Sequence, residues 1–148
     1  NDFAGCVEAL PARLFLAKIH GWSPRDIVAH LIGWNRTMIT GCEQLKKGEL
    51  PFYYIDPGED FSKVNDTFVR QYASIDRGAL LAELGVSFQE LRRYMTGLEP
   101  GQWQADTGVR DNGNPVTIQN SIEALLADYT DHQHEIEAWA AAQPGDAG

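Results

Sequence analysis

Apolar residues recur at steps of three and four along most of this chain, the spacing that gathers side chains on one face of an α-helix. One run is Ile118, Ile122, Leu125, Tyr129, His132, Ile136 and Trp139, with a histidine in a seam position. A second is Ile27, Leu31, Trp34, Met38, Cys42 and Leu45. A third is Leu81, Leu84, Phe88, Leu91, Met95 and Leu98, and a shorter one is Phe61, Val64, Phe68 and Tyr72. Start and stop signals bound these runs. Ser23 can cap a helix, Pro24 suits its first position and Asp26 favours the positive end of its dipole; Gly48 and Pro51 then stop it. Asp76 and Thr117 can cap two more. The pattern predicts helices over residues 23–47, 77–98 and 117–141, with a short one over 61–74, and so an all-α bundle.

The remaining stretches read as connections. "EPGQW" and "DNGNP" are turn clusters, with room between them for a short extended piece and no convincing strand. The loop "GELPFYYIDPGED" is long for a bundle, and its aromatic side chains must lie on something. Before Pro11, only residues from about Asp2 to Leu10 can form a first helix. The organisation predicted is one domain over 1–148, with a truncated first helix and linker over 1–20 and a frayed tail over 142–148.

Composition narrows the partners. The 148 residues include 12 basic and 21 acidic ones, a net charge of −9. That balance predicts neither nucleic acid nor an anionic membrane as partner, since both recruit clustered Lys and Arg. Lys46-Lys47 and Arg92-Arg93 read as solvated helix edges. Cys6 and Cys42 form no CxxC pattern, so a reducing, cytoplasmic setting is expected and not a disulfide framework. No apolar run approaches the roughly 20 residues of a membrane span, and no signal peptide is visible.

The candidate chemistry lies in "DYTDHQHEIEAW". His132 holds a seam position, and Asp128 precedes it by one turn, so the two side chains are neighbours. His134 lies roughly 200° around the helix and should face water. His30 sits on the inner side of another helix, between Ile27 and Trp34. A lone inward histidine is usually a hydrogen-bonded core residue. Two of them on different helices, with a carboxylate beside one, also suit a divalent first-row metal, Zn²⁺, Ni²⁺, Fe²⁺ or Mn²⁺. Three protein ligands, His30, Asp128 and His132, would leave coordination positions open. Trp34, Tyr129 and Trp139 are candidate pocket walls, although packing alone would explain them. Cys42 reads as a small core residue, Ser23 as a cap, Ser121, Glu135 and Glu137 as helix surface.

"GWSPRDIVAHLIGW" followed by a stretch ending "HEIEAW" resembles the DinB-like superfamily of four-helix bundles, which includes thiol-dependent enzymes using mycothiol or bacillithiol. "AHLIGWNRTMITGCEQLKKGELPFYYIDPGEDFSKVND" looks most like its DfsB/ClbS-type branch, one member of which is a colibactin self-resistance protein. The likeness spans roughly residues 21–139. It implies a bundle with a shortened first helix and an extra short helix. It also implies a metal triad of one His on the second bundle helix and an H-x-x-x-H pair on the last. His30 and His132 match that triad, and Asp128 stands where the pair has its first His; aspartate can still ligate. A short first helix would leave an apolar seam open, which favours a homodimer. Three functions follow. The first is a metal-dependent enzyme that transfers a low-molecular-weight thiol to, or hydrolyses, a small electrophile. The second is a metal-free small-molecule binding or self-resistance protein. The third is a structural helical module.

Overall fold

A computed structural model describes residues 2–55 and 61–145. The chain runs α1 (Asp2–Glu8), α2 (Ala12–Phe15), α3 (Pro24–Lys46), α4 (Ser62–Gln71), α5 (Arg77–Thr96), α6 (Pro100–Gln104), β1 (Arg110–Asp111), β2 (Asn114–Pro115) and α7 (Ile118–Ala141). The predicted boundaries of the four main helices agree to within a few residues. Ser23 Oγ accepts from the Asp26 amide, and the Asp26 carboxylate accepts from the Ser23 amide, a reciprocal cap that starts α3. Gly48, at φ +74°, ends it. Asp76 and Thr117 cap α5 and α7 through the amides of Ala79 and Asn120.

α3 is the central helix, packed against α2, α4, α5 and α7. Residues 27–35 of it are buried all round, including His30 and Asn35. Its direction relative to its neighbours follows from paired side chains. Arg25, at its start, donates to the carbonyls of Tyr72 and Ile75 just before α5, and Lys46, at its end, lies 5.0 Å from the Tyr94 ring near the end of α5. The two helices are therefore parallel, and the loop and α4 between them form the crossover. α7 runs the other way: Asp128 and Tyr129 meet His30 and Asn35, and Thr107, well before α7, reaches the Leu45 carbonyl.

Three expectations need correction. On α5 the buried residues are Leu80, Leu84, Ser87 and Leu91, whereas Leu81, Phe88, Met95 and Leu98 are half-buried. The face is turned because a polar residue occupies its centre: Ser87 Oγ accepts from Asn35 Nδ2 and donates to the Leu84 carbonyl. Second, "DNGNP" is more than a turn. Asn112 (φ 50°) and Gly113 (φ 79°) form a two-residue hairpin turn between β1 and β2, the Asn-Gly signature that hydrophobic periodicity does not show. Third, "EPGQW" closes into α6, started by a reciprocal cap between Glu99 and Gln102.

The front of the chain is packed, not open. Phe3, Val7, Leu10, Leu14 and Phe15 are buried in the same core as the long helices, with α1 against α5 and α7. Arg77 reinforces this, donating to the Val7 and Leu10 carbonyls and lying 4.4 Å from the Phe15 ring. The apolar seam that was to attract a second copy is thus covered within the chain. Of the expected frayed tail, residues 146–148 lie outside the described residues, as do 56–60 of the long loop. Among the described residues no helix is long and apolar enough to cross a membrane.

Candidate metal centre

α3 and α7 run side by side, so the seam positions of each face the other. His30 and His132 consequently meet across the interface, ring centroids 5.4 Å apart and nearly perpendicular. Asp128, one turn before His132, reaches between them. One carboxylate oxygen lies 2.8 Å from His30 Nε2 and the other 3.2 Å from His132 Nε2. One ligand atom from each residue can be chosen so that all lie within 4.8 Å of one another. His134 is exposed, as the helix phase predicts.

Asn65 of α4 completes the arrangement. Its Oδ1 lies 2.6 Å from Trp34 Nε1 and 3.0 Å from His30 Nδ1. The indole N–H can only donate, so it fixes which end of the amide is oxygen. That oxygen can only accept, so the proton on His30 sits at Nδ1. Nε2 is then left to face Asp128: it donates to that carboxylate when it carries a proton, and offers a lone pair to an ion when it does not. Trp22 packs against the other side of His30, ring centroids 5.0 Å apart. His30 is held on three sides and is almost fully buried.

Charge is concentrated in the carboxylate. Burial disfavours ionised Asp128, but the hydrogen bonds from His132 and His30 outweigh it and hold the carboxyl well below the usual carboxylate range. Burial likewise opposes charge on His132, yet Asp128, with smaller contributions from Glu135 and Asp131, leaves its pKa above the ordinary value. His132 Nδ1 is buried with no hydrogen-bond partner among the described residues.

The triad closes one end of a cavity of about 470 Å³. Trp34 lines it, as expected. Tyr129 does not: its hydroxyl donates to Asn35 Oδ1 and its ring packs on Phe3 and Phe88 in the core. Trp139 is half-buried against the core towards the end of α7, away from the cavity wall. The sequence reading missed Asn65, Trp22 and the pocket-facing Tyr53 and Tyr54. Asn65 carried a signal: it lies four residues after Phe61 and three before Phe68, a polar side chain on the inner flank of a helix; Tyr53 and Tyr54 belong to the loop whose aromatic side chains had to lie on something. Cys42 is a core residue whose thiol burial pushes up to about 12, too high for a nucleophile at neutral pH.

The comparisons with known proteins bear on this geometry. The model of the family described as "Mycothiol maleylpyruvate isomerase N-terminal domain" matches residues 2–137. No curated protein matches the sequence. The crystal structure of the colibactin self-resistance protein ClbS, in complex with a dsDNA, superposes with a TM-score of 0.77 at 17% identity, covering 97% of this chain and 89% of that one. An uncharacterised protein from Escherichia coli UTI89 gives 0.72 at 18% identity, covering 95% and 85%. A protein from Streptococcus pneumoniae gives 0.73 at 15%, covering 95% and 83%. These likenesses show a DinB-like fold. They also correct the exclusion of nucleic acid drawn from charge. ClbS carries double-stranded DNA on the same architecture, and net charge averages over a surface whose local patches decide such binding.

Proposed function

The chain belongs to the mycothiol maleylpyruvate isomerase N-terminal domain family, and from that premise we propose that it is a divalent-metal-dependent enzyme acting on a small electrophile. The observation that carries the proposal is the convergence of two imidazoles and a carboxylate, from α3 and α7, at the end of a cavity. The donor set fits the group. Ligands sharing one zinc ion lie roughly 3–3.5 Å apart, and donor atoms already within 4.8 Å need only small rotations to reach that spacing. His30 offers Nε2 because Asn65 holds Nδ1. His132 and Asp128 complete a set of three that leaves positions for substrate. When bound, the ion would supply Lewis acidity and lower the pKa of water or of a low-molecular-weight thiol towards neutrality.

The chain's own residues do the rest. Trp22, Trp34 and Asn65 orient His30. The aromatic wall places apolar surface on the side of the triad facing the cavity, which strengthens electrostatic interactions there. Asp128 carries the negative charge that would balance a cation. The test is elemental analysis of tag-free protein, expected to find one equivalent of zinc, nickel, iron or manganese. Asp128→His, which restores the two-histidine pair of the wider superfamily, is expected to tighten zinc or nickel binding.

A second reading rests on a different observation. Asp128 accepts from both histidines at hydrogen-bond distance, so its carboxylate is satisfied without an ion. A metal-free binding or self-resistance protein would then use His30 and His132 as acid–base groups. Protein that carries no ion and whose melting temperature ignores added zinc would favour it. The ClbS complex adds double-stranded DNA to the ligands to be tried, by gel shift across a range of salt.

A further inference from the structure

The cavity that ends on Asp128 and His132 is walled mostly by carbon. Trp34, Tyr53, Tyr54 and Phe61 make an aromatic side in which neighbouring rings meet edge to face: Trp34–Tyr53 at 5.0 Å, Trp34–Phe61 at 5.3 Å and Tyr54–Phe61 at 5.3 Å. Two glycines of α3 make room for this wall. A Cβ on Gly41 would come within 2.6 Å of the Tyr53 ring, and one on Gly33 within 2.1 Å of Phe68, which backs Trp34. No lysine or arginine lines the cavity among the described residues, and residues 56–60, outside them, contain none. The fixed charge at its end is the Asp128 carboxylate, already shared between two histidines.

In the metal-free cavity an anionic group would lose part of its hydration, find no lysine or arginine, and approach the Asp128 carboxylate. A flat ring system meets none of those penalties and can stack or pack edgewise on the aromatic wall. A volume of about 470 Å³ suits a small organic molecule. We propose that the ligand of this site is an uncharged, flat aromatic or conjugated molecule. Its rings lie against Tyr53, Tyr54 and Phe61, and its polar reacting atom points at Asp128 and His132. The inference deepens the reading of the cavity as the substrate site and rests on it.

The test uses a matched pair of probes, 2-naphthalenemethanol and 2-naphthoate, titrated into metal-stripped protein and followed by tryptophan fluorescence and calorimetry. The alcohol is expected to bind at least about tenfold more tightly than the carboxylate. Phe61→Ala is expected to weaken the alcohol about tenfold. Ala124→Arg, a change at an exposed helix position on the cavity wall, is expected to erase or reverse the preference by supplying the missing cation. Naphthoate binding as tightly as the alcohol, or no saturable binding of the alcohol up to about 1 mM, overturns the proposal. Elemental analysis of the same tag-free protein before it is stripped separates it from the metal reading. Protein without metal that keeps the preference sinks the metal reading alone. Protein with metal and no preference sinks this inference alone.

Discussion

His132 and His134 are two residues apart on one helix and have opposite surroundings, one against His30 and Asp128, the other in water. His132→Ala is therefore expected to abolish metal uptake, and His134→Ala to leave it unchanged, both read by elemental analysis. Asn65 contributes one step further out. Removing it frees His30 to rotate and to place its proton on either nitrogen, so Asn65→Ala should weaken zinc binding about 10–100-fold in competition titrations. Nitrogen chemical shifts of the metal-free protein should show His30 protonated at Nδ1 in the wild type and a tautomer mixture in the variant. The same residues set a pH dependence. Asp128 has a depressed pKa, so its stabilisation is present above the ordinary carboxylate pKa near 4 and is lost as pH falls further. His132 has a raised pKa, so its contribution is full below about 6.5 and disappears as pH rises through its folded value. The melting-temperature gap between metal-free wild type and Asp128→Asn should then be widest between about pH 4.5 and 6, and should shrink on both sides.

At the scale of elements, α3 decides the most. It is buried on every side over residues 27–35, and its glycines set how closely its neighbours approach. Gly33 faces the Phe68 ring of α4 so tightly that an added methyl has nowhere to go without moving that ring. Gly33→Ala should cost about 1–3 kcal/mol, against the usual helix preference for alanine. Thermal denaturation checks the sign; an unchanged or higher melting temperature would mean that α4 can yield freely. The helix ends and three of the four apolar stripes were legible in the sequence, because caps and periodicity are local chemistry. The α5 face was not. Asn35 and Ser87 satisfy each other inside the core, and a pattern of apolar residues reads a buried serine as surface.

For the whole molecule, a ligand that binds only the folded state stabilises it by mass action, about 2.7 kcal/mol at a hundred times its dissociation constant. In a chain of this length that corresponds to roughly 5–10 °C. Zinc should raise the melting temperature of metal-stripped wild type by that order, and chelator should reverse it. His132→Ala should show neither change. Failure of wild type to respond would leave the metal-free pocket as the reading. Total charge turned out to be a poor guide at this scale, because a sum over the surface says nothing of where the charges lie, and a protein of the same fold carries DNA.

The sequence by itself determined the all-α class, the caps, the inward phase of His30 and His132 and the outward phase of His134. All of these are set within a few turns of one helix. It also placed Asp128 beside His132, since that pair is local. Tertiary structure alone decided that α3 and α7 bring the three donors to one point, and that α4 carries Asn65 to His30 across a gap of 35 residues in sequence. It also decided that Tyr129 turns to Asn35 in the core while Tyr53 and Tyr54 face the cavity. Helical periodicity says which face of an element is buried. Which neighbour that face meets depends on how the elements pack, and packing is settled by contacts between residues far apart in the chain.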